Sequence, residues 1–208
     1  MFMPSRNVLK IDIADSYYHV YARGASRQEI FLESADYYMF LSLFRRYLSA
    51  EDVKDSAGMS YAKLYDDIQL LSYCLMPNHF HLLLYQVNEG AMQRLMRGVM
   101  TAYSRYFNKK YDRSGGLFET RYKASRISSD TYLMHITRYI HLNPKEWREY
   151  PYSSLRFYLQ AHDEDWVDEQ PIVALFPSRE SYGDFVAKYE GIKDTLEQIK
   201  HELAGGED

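Results

Sequence analysis

The chain is expected to fold as an α+β domain, a ferredoxin-like antiparallel sheet with helices packed on one face and a helical C-terminal appendage. Three observations carry this. Segments rich in alternating, β-branched or aromatic residues occur at 17–23, 68–76 and 79–87, the last two separated only by Pro77-Asn78. Two longer segments, 35–48 and 92–110, repeat their apolar residues at helical spacing. The resulting order, β-α-β-β-α-β and then a further helix, is that of a ferredoxin-like sheet.

Each element has its own signal. Tyr17–Arg23 (YYHVYAR) alternates as a half-buried strand does, and Gly24 breaks it. Ser34 is a suitable N-cap for a helix from Ala35 to Leu48, where Tyr37, Phe40, Leu41, Phe44 and Leu48 share a face. Residues 49–67 read as a solvated loop. Ile68–Met76 and His79–Val87 form a hairpin across the Pro77-Asn78 turn. The helix from Met92 to Lys110 carries an apolar stripe of Leu95, Met96, Val99, Tyr103 and Phe107. A loop with Gly115-Gly116 leads through 117–128 into a fourth strand. Ser129 or Asp130 caps a helix from Thr131 to Leu142, which Pro144 stops. Tyr150–Ser154 reads as a surface turn, and Asp163–Pro171 as an acidic loop. Helical periodicity returns over Ser181–Leu203, and the last four residues are expected to fray. Residues 1–158 are thus expected as the domain, and 159–208 as an acidic helical extension.

Composition narrows the function. Of the 208 residues, 46% are hydrophobic and 26% charged, which excludes a disordered chain. No apolar run approaches the ~20 residues that span a bilayer, so no membrane partner is expected. Residues 1–10 lack the apolar stretch of a secretion signal. The single cysteine, Cys74, excludes an intramolecular disulfide and a cysteine-based zinc site, fits a cytoplasmic protein, and reads as a core residue. The net charge of -4 conceals an uneven distribution. Residues 92–148 hold 12 Lys and Arg against 4 Asp and Glu, whereas residues 149–208 hold 5 against 14. A basic middle of this kind suits a polyanion.

The chemistry centres on residues 73–85, YCLMPNHFHLLLY. His79 and His81 are two apart in a strand, so both imidazoles leave the same face. Such a pair is the beginning of a divalent-metal site, although a bare His-x-His is more often an ordinary strand entrance. Tyr139 and Asn143 are one helical turn apart, with the reservation that Pro144 pushes Asn143 out of α geometry toward a cap. If these four meet, two imidazoles and an amide oxygen would hold an ion, Mg²⁺ or Mn²⁺, without cancelling its charge, and Tyr139 would face a polarised phosphodiester. Spacing alone does not show that they meet. Arg94, Arg97, Arg105, Lys109 and Lys110 on the basic helix, with Arg113, Arg121 and Lys123 after it, are the candidate DNA-binding residues. Tyr103, Tyr106, Phe107, Tyr111 and Phe118 are candidates for stacking on unpaired bases. His135 and His141 read as surface histidines.

Four segments in order carry a family resemblance. Residues 73–84 resemble the HUH motif of the single-tyrosine transposases. Tyr103–Asn108 with Gly116–Lys123 resembles their YxRYFN and GxL[FW]xxR[FY]K patterns, Arg138–Pro144 their RYIxxNP, and Tyr150–Ser154 their YPWSS. Order and spacing resemble the REP-associated tyrosine transposase branch over roughly residues 16–158, with Tyr152 standing where tryptophan is usual. The resemblance implies an HUH nuclease fold, with His79 and His81 as metal ligands. It makes Tyr139 the nucleophile that forms a 5′-phosphotyrosine, and Asn143 the third ligand. It implies single-stranded or hairpin DNA, REP-like palindromes in particular, as partner, and a nucleoid-associated enzyme of DNA cleavage and strand transfer. It leaves monomer and homodimer open. Two alternatives stand beside it: a non-catalytic binder of hairpin DNA or structured RNA, and a hydrolase in which water attacks in place of Tyr139.

Overall fold

The computed structural model describes residues 12–54 and 58–189. Four strands form one sheet: β1 (Ser16–Arg23), β2 (Ile68–Met76), β3 (His79–Gln86) and β4 (Lys123–Ile127). Their order is β2-β3-β1-β4, and every neighbouring pair is antiparallel. This is the ferredoxin-like arrangement expected from the sequence. The helices are α1 (Ser34–Leu48), α2 (Ala91–Lys110), α3 (Asp130–His141), α4 (Leu155–Leu159), α5 (Gln170–Val173) and α6 (Arg179–Ala187). No helix among the described residues is long and apolar enough to cross a membrane.

Strand alternation divides the core in two. Tyr18, Val20, Phe80, Leu82, Leu84 and Leu70 meet Phe40, Phe44, Leu95, Val99 and Tyr103 of α1 and α2. Leu71, Cys74, Leu83 and Ile127 point the other way, against Leu133, Ile136, Tyr139 and Ile140 of α3. A bulge in β2 between Leu70 and Ser72 changes the phase of that strand, so that adjacent Leu70 and Leu71 serve opposite layers. The α1 and α2 layer is the helical face the pattern anticipates, and α3 with the later helices closes the other.

Several boundaries and burials correct the sequence reading. Ser34 is not the N-cap of α1. Glu33 is, in a capping box with Asp36, whose carboxylate also receives the backbone N–H of Leu32 and Glu33 at 2.9 and 3.2 Å. Tyr150–Ser154 is not a surface turn. Ser153 and Ser154 are buried, and the backbone of 152–154 pairs with Tyr73 and Leu75 along the outer edge of β2, shielding it. The residues after 158 are not an appendage: Trp166 and Val167 join the α1 and α2 layer, while Ile172, Tyr182 and Val186 join the α3 layer. Of the helix expected over Ser181–Leu203, α6 supplies the part up to Ala187, residues 188–189 form a turn, and residues 190–203 lie outside the described residues.

One turn braces the β2–β3 hairpin. The Gly24 N–H donates to the Asn78 carbonyl at 2.9 Å, and the N–H groups of Ile30 and Phe31 donate to the Pro77 carbonyl. A Cβ on Gly24 would lie 2.2 Å from the Gln28 carbonyl oxygen and 2.8 Å from Ile30 Cγ2. Backbone cannot yield as a flexible side chain can, so Gly24→Ala is expected to cost about 1–3 kcal/mol, measured by chemical denaturation.

Candidate active site

The sheet face under α3 collects the candidate residues. β1 lies antiparallel to β3, with Tyr21 opposite His81 and Arg23 opposite His79. His19, Tyr21, His79 and His81 therefore share this face. Tyr139 lies on the stripe of α3 that packs down onto it, and only 6% of its surface is exposed. Its ring meets that of His81 edge-on, with centroids 5.3 Å apart. The His79 and His81 ring centroids are 5.1 Å apart. α3 ends at His141, so Asn143 stands just beyond the cap, as Pro144 requires. From there its Oδ1 lies 3.2 Å from His79 Nε2. The structure thus brings together His79, His81, Tyr139 and Asn143.

The hydrogen bonds assign the protons. Asn78 Nδ2 donates to the Arg27 carbonyl at 3.2 Å, so its Oδ1 is the atom that faces His79 Nδ1 at 2.6 Å. That oxygen can only accept, so the proton of neutral His79 is on Nδ1 and Nε2 carries a lone pair. The Asn143 amide also hydrogen-bonds the Tyr139 hydroxyl, lowering the phenol's pKa as an N–H donated to its oxygen does. Asn143 Oδ1 is then turned to His79 Nε2, and two acceptors face each other. Octahedral bonds of about 2.1 Å place neighbouring ligands about 3.0 Å apart, close to the observed 3.2 Å. The residues present therefore fit a hard divalent ion held by two imidazoles and one amide oxygen. Among the described residues no group of three His, Cys, Asp or Glu side chains that could hold a metal ion is found.

Burial raises the Tyr139 pKa; the Asn143 bond lowers it, Tyr21 raises it and Arg23 lowers it, and the net shift is upward. The phenol is thus protonated at neutral pH and needs added positive charge to become a nucleophile. Arg23 is exposed at the mouth of the site and supplies some of that charge.

His19, Tyr21, Arg23 and Asn78 were missed by the sequence reading. His19 is buried, its Nε2 lies 2.8 Å from His81 Nδ1, and its ring is nearly parallel to that of His81, with centroids 5.0 Å apart. Burial lowers its pKa to about 3. The alternation of Tyr17–Arg23 placed His19, Tyr21 and Arg23 on one face, but only the β1–β3 register places that face beside His79 and His81. The turn carrying the Arg27 carbonyl is strained, since Ser26 and Arg27 have φ of 52° and 61°.

The basic residues are dispersed. α2 packs on the opposite side of the sheet from Tyr139, so Arg94, Arg97, Arg105 and Lys109 are separated from the site by the sheet itself. Arg94 pairs with Asp67 at 2.8 Å. Lys110 is held by Asp36 and Glu33 at 2.5 and 2.6 Å. Arg113 donates to Gln28 Oε1 at 2.9 Å. Arg121 is exposed just before β4, and Lys123, in β4 opposite Tyr21, sets its Nζ 5.8 Å from the Tyr21 ring. The aromatic residues considered for base stacking differ in exposure and partners. Tyr103 and Phe107 are buried, Tyr106 and Tyr111 are anchored on Asp36, and Phe118 packs beside Phe80. His141 is not a surface residue. It is fully buried, with Nδ1 2.6 Å from the Tyr182 hydroxyl and Nε2 2.9 Å from Ser154 Oγ, and it fastens α3 to α6.

Comparison with known proteins follows the same line. The family model described as IS200-like transposase matches residues 12–143. No curated protein matches the chain. Among solved structures, a REP-associated tyrosine transposase bound to a REP hairpin superposes with a TM-score of 0.55 at 15% identity, covering 77% of this chain and 90% of that one. A candidate transposase from Deinococcus radiodurans R1 is similar at 16% identity, with a TM-score of 0.38, covering 66% of this chain and 95% of that one.

Proposed function

Because the chain belongs to the family of IS200-like transposases, we propose that it cleaves and rejoins single-stranded DNA beside a hairpin, through a 5′-phosphotyrosine on Tyr139. The observation that carries this reading is the meeting of the Tyr139 hydroxyl, the Asn143 amide and the paired imidazoles of His79 and His81 on one face of the sheet. His79, His81 and Asn143 would hold Mg²⁺ or Mn²⁺. When bound, such an ion supplies positive charge at the scissile phosphate.

The chain's own residues do the rest. Asn143 donates an N–H to the Tyr139 oxygen and orients it. Arg23 adds a cation at the mouth of the site. The Tyr139 oxygen attacks phosphorus, and the P–O3′ bond breaks. The phenol's proton is released to solvent, and the departing 3′ oxygen takes one up. The 5′ phosphate stays esterified to Tyr139. In transfer, a 3′-hydroxyl attacks the same phosphorus, the bond to Tyr139 breaks, and the phenol regains its proton. Burial of the ring keeps water from that ester. Likeness in fold to a transposase bound to a REP hairpin supports a REP-like palindrome as substrate.

The test is a denaturing gel of the protein with a labelled single-stranded REP-type hairpin and its flanks, in Mg²⁺ or Mn²⁺. A covalent protein–DNA band is the expected result, and hairpin binding without cleavage would favour a binding module. The sheet separates two classes of basic residue. Arg23→Gln is expected to slow adduct formation more than 10-fold at saturating DNA, a loss of about 1.4 kcal/mol or more in transition-state stabilisation. Combined replacement of Arg94, Arg97 and Arg105 by Gln is expected to weaken binding and its salt dependence while changing that rate less than about 3-fold. Single-turnover kinetics measures both.

A further inference from the structure

We propose that His19 is a positioning residue for the ion site, and that its Nε2 accepts the Nδ1 proton of His81, so that His81 turns the lone pair of its Nε2 to the ion. This rests on the reading of His79, His81 and Asn143 as an ion site. The two nitrogens are 2.8 Å apart in a buried contact, with ring planes 13° from parallel and centroids 5.0 Å apart, so the rings meet edge to edge. A single proton fits between two neutral imidazoles, so the tautomer of one dictates that of the other. If His19 donates, the His81 proton moves to Nε2 and that imidazole can no longer bind an ion. If His19 accepts, His81 becomes a ligand, as Asn78 makes of His79.

A second observation marks His19. Its Nδ1 is buried and has no hydrogen-bond partner. Nearly all buried polar atoms are paired, and one that is not calls for a reason. When His19 accepts from His81, its own proton must lie on that unpartnered nitrogen. Without an ion this arrangement has little advantage over the reverse. Binding at His81 Nε2 selects it and offsets the orphaned N–H. His19 therefore stands to His81 as Asn78 stands to His79, and the two ligands are oriented from different elements, β1 and the hairpin turn. Outer partners of metal-bound histidines typically contribute 10- to 100-fold in affinity.

The experiment measures Mn²⁺ affinity by electron paramagnetic resonance in the full chain, wild type, His19→Phe, His19→Gln and His79→Ala, with thermal unfolding to verify the fold. His19→Phe keeps a ring but removes the acceptor, and is expected to bind Mn²⁺ at least 10-fold more weakly. His19→Gln places an amide oxygen near the position of Nε2 and is expected to stay within about 3-fold of wild type. A folded His19→Phe with wild-type affinity overturns the proposal. If His19→Phe does not fold, His19→Asn, too short to reach His81, takes its place with the same expectation. If wild type and His79→Ala bind Mn²⁺ equally, the ion site itself is wrong. ¹⁵N imidazole spectra of the wild-type protein saturated with diamagnetic Mg²⁺ decide the His19 assignment separately. A proton on His81 Nδ1 supports it, and a proton on Nε2 overturns it.

Discussion

Tyr139→Phe abolishes the covalent protein–DNA band while leaving hairpin affinity within about 2-fold of wild type. The loss is expected to exceed 10³-fold, more than about 4 kcal/mol of transition-state stabilisation, because the substitution removes the attacking atom. Folding should scarcely change. The Tyr139 ring packs in the layer formed by Ile136, Ile140, Leu83 and Cys74, which a phenyl ring fills equally well. Only the hydroxyl's bond to Asn143 is lost, at about 1 kcal/mol. A denaturing gel, a native gel and a thermal melt of the same two proteins make the measurement. Cleavage by both proteins to a free 5′ phosphate, with no covalent band, would move the attack from Tyr139 to water and refute the proposed chemistry.

Asp36→Ala has the largest expected effect on stability. Asp36 is fully buried, yet its carboxylate draws together the start of α1 and the end of α2. It receives the Leu32 and Glu33 N–H groups at 2.9 and 3.2 Å, the Tyr106 and Tyr111 hydroxyls at 3.1 and 2.8 Å, and Lys110 Nζ at 2.5 Å. Alanine leaves the backbone and hydroxyl donors without that acceptor and takes from Lys110 one of its two carboxylate partners, Glu33 remaining. The expected loss is about 3–5 kcal/mol, which lowers the melting temperature by roughly 10 °C in a chain of this size. Burial raises the Asp36 pKa, but the bonds from Lys110, Leu32, Tyr111 and Glu33 together bring it below the usual carboxylate value. The folded state thus holds the proton less tightly than the unfolded chain. The corresponding stability is present above about pH 3.9 and is lost as pH falls through the folded-state pKa. The gap between wild type and Asp36→Ala should hold steady from pH 7 to about pH 5 and narrow below about pH 4. A gap under 1 kcal/mol at pH 7 in chemical denaturation would show that the cluster is not a keystone.

Whatever depends on local period could be read directly from the chain. Alternation over 68–87 located β2 and β3, and a strand's period of two put His79 and His81 on one face whatever the rest of the fold did. Helical spacing located α1, α2 and α3, and Pro144 set Asn143 just beyond α3, one turn from Tyr139. The family patterns also rest on such short segments, which is why His79, His81, Tyr139 and Asn143 could be selected before the fold was known.

Which faces meet is set by long-range packing. His19, Tyr21 and Arg23 alternate as strand residues do, but no local signal says that Arg23 is paired with His79 across more than 50 residues of intervening chain. The basic helix was read correctly as a helix, yet its layer of the sheet is set by packing of Leu95, Val99 and Tyr103 against Val20 and Leu82, and that layer is turned away from Tyr139. His141 and Asp36 are polar letters in the sequence. Their complete burial follows from partners 41 and 74 positions distant, Tyr182 and Lys110. One cause is common to all of these. Local period fixes which side chains share a face at almost no entropic cost, whereas choosing what that face touches requires closing long loops, and the hydrophobic contacts that repay the closure exist only once the whole core has formed.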